Sequence, residues 1–263
     1  MCNIDNDDDI INSIPEERRR EIDILLKKTA EELKIDRYKN TMSEEEFNRR
    51  QAERWSKFWR WIFFDIGSTL VDETECYKAR YAEAVKNSDI TYEEFENKVI
   101  EYSKQNKKGD HEAVKYFNLT LPKWHKELEA LYSEAETVLK SLLKMGYKLG
   151  IIANQSIGSE ERLEEWGILK YFSVVIASAE EGVAKPDKEI FLRALKKANC
   201  ELQNAYMVGD RLDNDIVPAN EIGMKTIWIK QGLGGYATPK EPLEYPDYTV
   251  NDLTELCDLF NTL

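Results

Sequence analysis

Apolar positions change their spacing twice along the chain, and the changes divide it into three parts. Through residue 58 hydrophobic residues are sparse on a charged background. Ile22, Leu25, Leu26 and Leu33 recur at helical intervals, and Phe47, Trp55, Phe58 and Trp59 are the apolar positions of a second charged segment. Ser13 with Glu16, and Ser43 with Glu46, have the spacing at which a serine and the glutamate three residues on close a helix start reciprocally. Residues 1–58 therefore read as an N-terminal helical extension whose apolar faces pack on the main domain or on a partner.

At Trp61 the pattern becomes a short continuous apolar run, Trp-Ile-Phe-Phe, ending in Asp65 and a Gly-Ser-Thr loop. A run of that length with no polar alternation predicts a strand buried on both faces. Comparable strands are predicted at Lys148–Ala153, Ser173–Ala177, Ala205–Val208 and Lys225–Ile229, with helical stretches at Glu160–Trp166, Lys188–Ala198 and Asp213–Ile222 between them. Strands alternating with helices predict an α/β fold with a doubly wound, Rossmann-like parallel sheet, whose ligand site lies beyond the carboxyl ends of the strands. Residues 73–135 do not alternate. They show helical patterns, a reciprocal cap at Thr91 with Glu94, and no strand. The expected organisation is a helical extension at 1–58, an α/β core at 59–72 and 136–263, and an all-helical cap at 73–135 acting as a lid over the cleft.

Charge narrows the partners. Lys plus Arg number 37 against 50 Asp plus Glu, a net charge of -13, which disfavours nucleic-acid backbones and anionic membranes. An anionic substrate then needs a local positive site. The start of the chain carries the acidic stretch Asn6-Asp7-Asp8-Asp9 rather than a basic segment and an apolar run, and the apolar runs fall far short of the ~20 residues of a membrane span. No membrane association and a cytoplasmic location are expected. Cys2, Cys76, Cys200 and Cys257 lack zinc-knuckle or redox-pair spacing, so no disulfide is assigned. His111 and His125 are the two histidines, which leaves few candidates for a histidine base.

Four loops at predicted strand ends hold the candidate chemistry: Asp65-Ile66-Gly67-Ser68-Thr69-Leu70, Asn154-Gln155-Ser156, Ala184-Lys185-Pro186-Asp187, and Gly209-Asp210-Arg211-Leu212-Asp213-Asn214-Asp215. Each alone is an ordinary turn, helix entry or solvated loop. Taken together, in this order over about residues 61–260, they make the sequence resemble the haloacid dehalogenase superfamily. That family has a strand ending in Asp-x-Asp-Gly-Thr, one ending in Ser or Thr, a Lys-Pro, and one ending in Gly-Asp-x-x-x-x-Asp.

The resemblance implies a Mg²⁺-dependent phosphatase of small phosphorylated molecules. Asp65 would be the nucleophile, forming an aspartyl-phosphate. Asp65, the Gly67 carbonyl, Asp210 and Asp215 would hold the metal, Asp215 through its waters. Lys185 would neutralise phosphoryl oxygens and keep Asp65 ionised. Thr69 and Asn154 would help cradle the phosphate. The residues 73–135 would be the cap that selects the substrate, with Tyr116, Phe117 and Trp124 as candidate lining residues.

The chain departs from this pattern where Gly67 replaces the aspartate that serves as acid and base, Ser68 replaces the following glycine, and Ala153 replaces the usual hydroxyl residue. Ser156 could stand in for that hydroxyl, and His111 or His125 for the acid. Acid-base help contributes typically ~10²–10⁴-fold, so without it aryl and acyl phosphates are expected to turn over better than alkyl esters, and Gly67→Asp to favour the alkyl class. Two other readings stay open on the sequence: a non-catalytic metal- and phosphate-binding protein on the same fold, and a scaffold protein working through Trp55, Phe58 and Trp59. A dehalogenase fits the lysine and carboxylate set less well, and a dinucleotide site is disfavoured because no Gly-x-Gly-x-x-Gly follows the first strand.

Overall fold

The computed structural model describes residues 59–263 together with Arg20 and Ile24; the rest of the extension read at 1–58, including Trp55 and Phe58, lies outside the described residues. In chain order the main elements are β1 (Trp61–Phe64), β2 (Val71–Asp72), α1 (Thr74–Val85), α2 (Tyr92–Ser103), α3 (Gly109–Tyr116), β3 (Ala130–Leu131), α4 (Ala135–Lys144) and β4 (Lys148–Ala153). They continue with α5 (Ser159–Glu165), β5 (Val174–Ala177), α6 (Ser178–Glu181), α7 (Lys188–Ala198), β6 (Ala205–Gly209), α8 (Val217–Ile222), β7 (Lys225–Ile229), β8 (Tyr248–Val250) and α9 (Thr254–Thr262).

Six strands form one sheet in the order β5-β4-β1-β6-β7-β8, every neighbouring pair parallel. All four residues of β1 are buried, and successive side chains enter opposite layers. Ile62 and Phe64 pack with Val138, Leu139 and Leu142 of α4 and Leu256 and Phe260 of α9, while Trp61 and Phe63 pack with Ile190, Phe191 and Ala194 of α7 and Ala219 of α8. Helices on both faces explain why the strand reads as unbroken apolar sequence. Trp59 is half-buried against the second layer, with the Lys148 ammonium 5.1 Å from its ring centre. The chain runs outward from β1 through β4 to β5, then crosses back to β6 and outward to β8. The direction of winding therefore reverses at β1, and the loops after β1, β4 and β6 converge there.

Helices α1, α2 and α3 have an apolar centre of their own in Tyr81, Phe95, Val99, Ala113 and Val114. The reciprocal cap expected at the start of α2 is present: the Glu94 amide donates to Thr91 Oγ1, and the Thr91 amide to Glu94 Oε2.

The structure corrects the sequence reading at three places. The insertion is not all-helical, because β3 pairs antiparallel with β2, Val71 opposite Leu131 and Asp72 opposite Ala130. Two residues are too few to show a period. This ribbon, extended by the Tyr132 amide donating to Leu70 O at 3.1 Å, ties the chain's entry into the helices to its return. The edge strand β8, three residues long, was not foreseen for the same reason. The helix read at Asp213–Ile222 is divided into a π-helical turn at Leu212–Ile216 and α8 with Pro218 in its first turn, where a proline lacks no needed hydrogen bond.

Phe63 is fully buried and stacks on Trp61 with ring centres 5.5 Å apart. Phe63→Ala should cost about 3–5 kcal/mol in urea unfolding. Leu192→Ala, on the exposed side of α7, should stay within about 0.5 kcal/mol; equal losses would contradict the layer assignment.

Candidate active site

The Asp65 amide donates to Val208 O at 2.9 Å, so the sheet ladder holds the chain one residue beyond β1 before it turns. The Asp65 carboxylate thereby stands at the carboxyl edge of the central strand. Lys185 arrives from the connection between α6 and α7, across the end of β4. There Asn154 grips its backbone twice: Oδ1 accepts from the Lys185 amide and Nδ2 donates to the Lys185 carbonyl, both at 2.8 Å. With its main chain fixed, Lys185 extends Nζ between two carboxylates, donating to Asp65 Oδ1 at 2.7 Å and to Asp215 Oδ1 at 2.6 Å.

Asp215 belongs to the π-helical turn after β6 and is fully buried. Its Oδ2 also accepts from the Arg211 amide at 3.0 Å. Gly209 permits this approach, since any side chain built there would collide with the Asp215 carboxyl group. Asp65, Asp210 and Asp215 each offer a carboxylate oxygen, all within 4.8 Å of one another. In front of them lies a cleft of about 340 Å³, lined from the core side by Asp65, Gly67, Asn154, Lys185 and Asp210 and from the helical side by Tyr77, Arg80, Lys107, Lys108, His111 and Trp124.

Burial and mutual repulsion dominate the electrostatics. Burial pushes the Asp215 carboxyl up to about 6, against the pull of Lys185 and with a further push from Asp65. Asp210 is held well above the usual carboxylate range by burial, then by Asp215 and Asp65, with Arg211 opposing. Burial alone would discharge Lys185, yet Asp215 and Asp65 reverse that and raise it above its ordinary value. Glu73 is pushed up to about 7, by burial first; its Ser68 hydrogen bond lowers it, and Asp65, Glu129 and Asp72 raise it. Lys185 thus faces more carboxylate charge than it can neutralise. Hard oxygen donors converging on one point with surplus negative charge fit a small divalent cation.

The expected site residues do not all meet. Asp65, Gly67, Asn154, Lys185 and Asp210 line the cleft, and Asp215 sits behind Lys185. Thr69 does not line it; its side chain is fully buried and its hydroxyl has no hydrogen-bond partner among the described residues. Ser156 is exposed and outside the cleft lining, where its carbonyl accepts from Ser159, so it does not replace the hydroxyl missing at Ala153. His111 lines the cleft, whereas His125 lies outside the lining, with its ring nitrogens 3.1 and 3.2 Å from Glu83 and Glu127. Trp124 lines the cleft and donates to Glu129 Oε1 at 2.7 Å. Tyr116 is exposed and Phe117 packs in the helical layer's own centre.

The sequence reading missed Glu73, Arg80 and Gly234 and gave Arg211 no role within the loop that holds it, though all four are in the cleft wall. Only Gly234 carried a signal, in the glycine cluster from Gly232 to Gly235 that reads as a plain loop. Glu73 and Arg80 are charged residues in charged surroundings, which no local pattern singles out.

Comparison with known proteins agrees with the geometry. A family model described as haloacid dehalogenase-like hydrolase matches residues 62–229. The chain is 35% identical over 225 residues to the glyceraldehyde 3-phosphate phosphatase of Methanocaldococcus jannaschii, covering 77% of this chain and 97% of that protein. It is 34% identical over 127 residues to the phosphoserine phosphatase of Thermus thermophilus, covering 48% of this chain and 49% of that one. The crystal structure of a HAD phosphatase from Thermococcus onnurineus is similar over 76% of this chain and 97% of its own, at 26% identity and a TM-score of 0.52.

Glu73, Asp210 and Asp215 all hold protons more tightly in the folded chain than at their ordinary values of 4.5, 3.8 and 3.8. Across that window the folded state binds more protons than the unfolded one, so stability falls as pH rises. In the presence of a chelator, the melting temperature should drop between about pH 5 and about pH 7, and less steeply in Glu73→Gln. A melting temperature that rises over this window would falsify the burial of these carboxyls.

Proposed function

The chain belongs to the haloacid dehalogenase-like hydrolase family and is a phosphohydrolase, and on that premise we propose that it hydrolyses a small phosphorylated metabolite, with Asp65 as nucleophile and Mg²⁺ as cofactor. The observation that carries this reading is the Lys185 ammonium held between Asp65 and Asp215 at the cleft floor. Contact with the ammonium fixes the direction of the Asp65 carboxylate, a requirement of a carboxylate nucleophile.

Asp65 attacks phosphorus, the bond to the leaving oxygen breaks, and the aspartyl-phosphate formed is then cleaved by water. Asp65, Asp210 and Asp215 would hold the metal, which when bound supplies positive charge to the phosphoryl oxygens. Lys185 adds charge to the same end of the substrate. Asn154 acts on Lys185 rather than on phosphate, since both ends of its amide are engaged with the lysine backbone. Asp215 steadies the ammonium from behind.

Substrate size and charge follow from the cleft. About 340 Å³ suits a small metabolite, and Lys107 and Lys108 in its wall bring local positive charge to a chain whose net charge of -13 would otherwise repel anions, while Arg80 and Arg211 are paired with Asp110 and Asp213. The residues 73–135 form the cap that covers this space and selects what enters it. The names of the two phosphatase relatives, acting on a three-carbon sugar phosphate and on phosphoserine, support a substrate of this size.

A panel of small phosphomonoesters assayed with Mg²⁺ and with chelator, beside Asp65→Asn, tests the reading. Turnover is expected with Mg²⁺ only, and its loss by more than about 10³-fold in Asp65→Asn. Activity that survives the substitution would remove Asp65 from the role of nucleophile.

A further inference from the structure

The loop after β1 departs from the family pattern at two adjacent positions, and both departures face one side chain. Gly67 stands in place of the acid/base aspartate and Ser68 in place of glycine. Glu73, immediately before α1, turns its carboxylate back into the space beside Gly67. A Cβ added there would lie 2.7 Å from Glu73 Oε1 and 3.3 Å from Oε2. The room freed by the missing aspartate is therefore filled by a carboxylate from the next element. Ser68 adopts a left-handed φ of 52°, which costs a serine free energy and a glycine none. Its hydroxyl donates to Glu73 Oε2 at 2.7 Å, a bond glycine could not make. One substitution makes space for the glutamate and the other holds it. Asp65, Gly67, Ser68 and Glu73 line the same cleft.

We propose that Glu73 is a catalytic residue, the general acid and base of the reaction that Asp65 begins. The inference rests on the phosphohydrolase reading above. As Asp65 bonds to phosphorus and the bond from phosphorus to the leaving oxygen breaks, the Glu73 carboxyl group gives its proton to that oxygen and the alcohol departs. Water then attacks the aspartyl-phosphate and passes a proton to the Glu73 carboxylate. The bond from phosphorus to Asp65 breaks, releasing inorganic phosphate and restoring both side chains. An acid in this place removes the expected preference for aryl and acyl phosphates. It also changes what Gly67→Asp does: the new side chain would collide with Glu73, so that substitution alone lowers turnover of every ester.

The test compares an alkyl monoester with 4-nitrophenyl phosphate, whose leaving oxygen needs little protonation, using the full chain with Mg²⁺. In Glu73→Gln, kcat/KM for the alkyl ester should fall by about 10²-fold or more, while for 4-nitrophenyl phosphate it stays within about threefold. The kcat on the aryl ester should fall, and a phosphate-mass adduct on Asp65 should accumulate in intact-mass spectra, because water has lost its base. The double variant Gly67→Asp/Glu73→Ala, which returns an acid to the loop and clears its space, should recover alkyl turnover. Equal losses of kcat/KM on both esters without an adduct, in a Glu73→Gln protein that melts like the parent, would overturn the assignment. No turnover of either ester by the parent chain would instead remove the phosphatase reading, and the proposal with it.

Discussion

The contact on which the site depends is one buried ammonium placed between a buried carboxylate, Asp215, and a partly buried one, Asp65, at the cleft floor. Lys185 cannot stay charged there without Asp65 and Asp215, and those two cannot stand so close without Lys185. Removing one member of such a set leaves buried charge without a partner, which costs far more than a surface ion pair contributes. Much of the local architecture serves this contact. The ladder bond to Val208 aims Asp65, Asn154 fixes the lysine backbone, and Gly209 with the π-helical turn lets Asp215 reach in behind.

Charge balance then explains why the cluster faces outward. One lysine does not offset Asp65, Asp210, Asp215 and the nearby Glu73, and the surplus lies against the cleft rather than inside the core. An arrangement of that sign is costly to a folded chain by itself and suited to a ligand that brings positive charge.

The central sheet was legible because burial on both faces leaves an unambiguous mark: four apolar residues in β1 with no polar alternation. Asp65, Lys185, Asp210 and Asp215 were legible through the order of their loops along a parallel sheet, which brings strand ends together whatever their separation in sequence. Glu73 was not. Its placement depends on the turn of the chain through Ser68 and Leu70 and on the space at Gly67, and a glutamate before a helix looks the same wherever its carboxylate points. The ribbon of β2 and β3 escaped because its two halves are too short for periodicity and its pairing is long-range. Thr69 shows the reverse: a residue matching a motif whose side chain the fold buries outside the cleft lining.

That ribbon bears on how such a chain can diversify. β2 and β3 form the stem of a hairpin, and everything from Glu73 to Glu129 is, topologically, its turn. Closing a longer loop on a stem already paired costs only about 0.6 kcal/mol for each doubling of length. The helices over the cleft could therefore be lengthened, shortened or exchanged with little effect on the stability of the sheet beneath. The helical layer and the sheet meet through these two strands of two residues each and through a few side-chain bonds, such as Asn106 Nδ2 to Thr238 O at 3.0 Å.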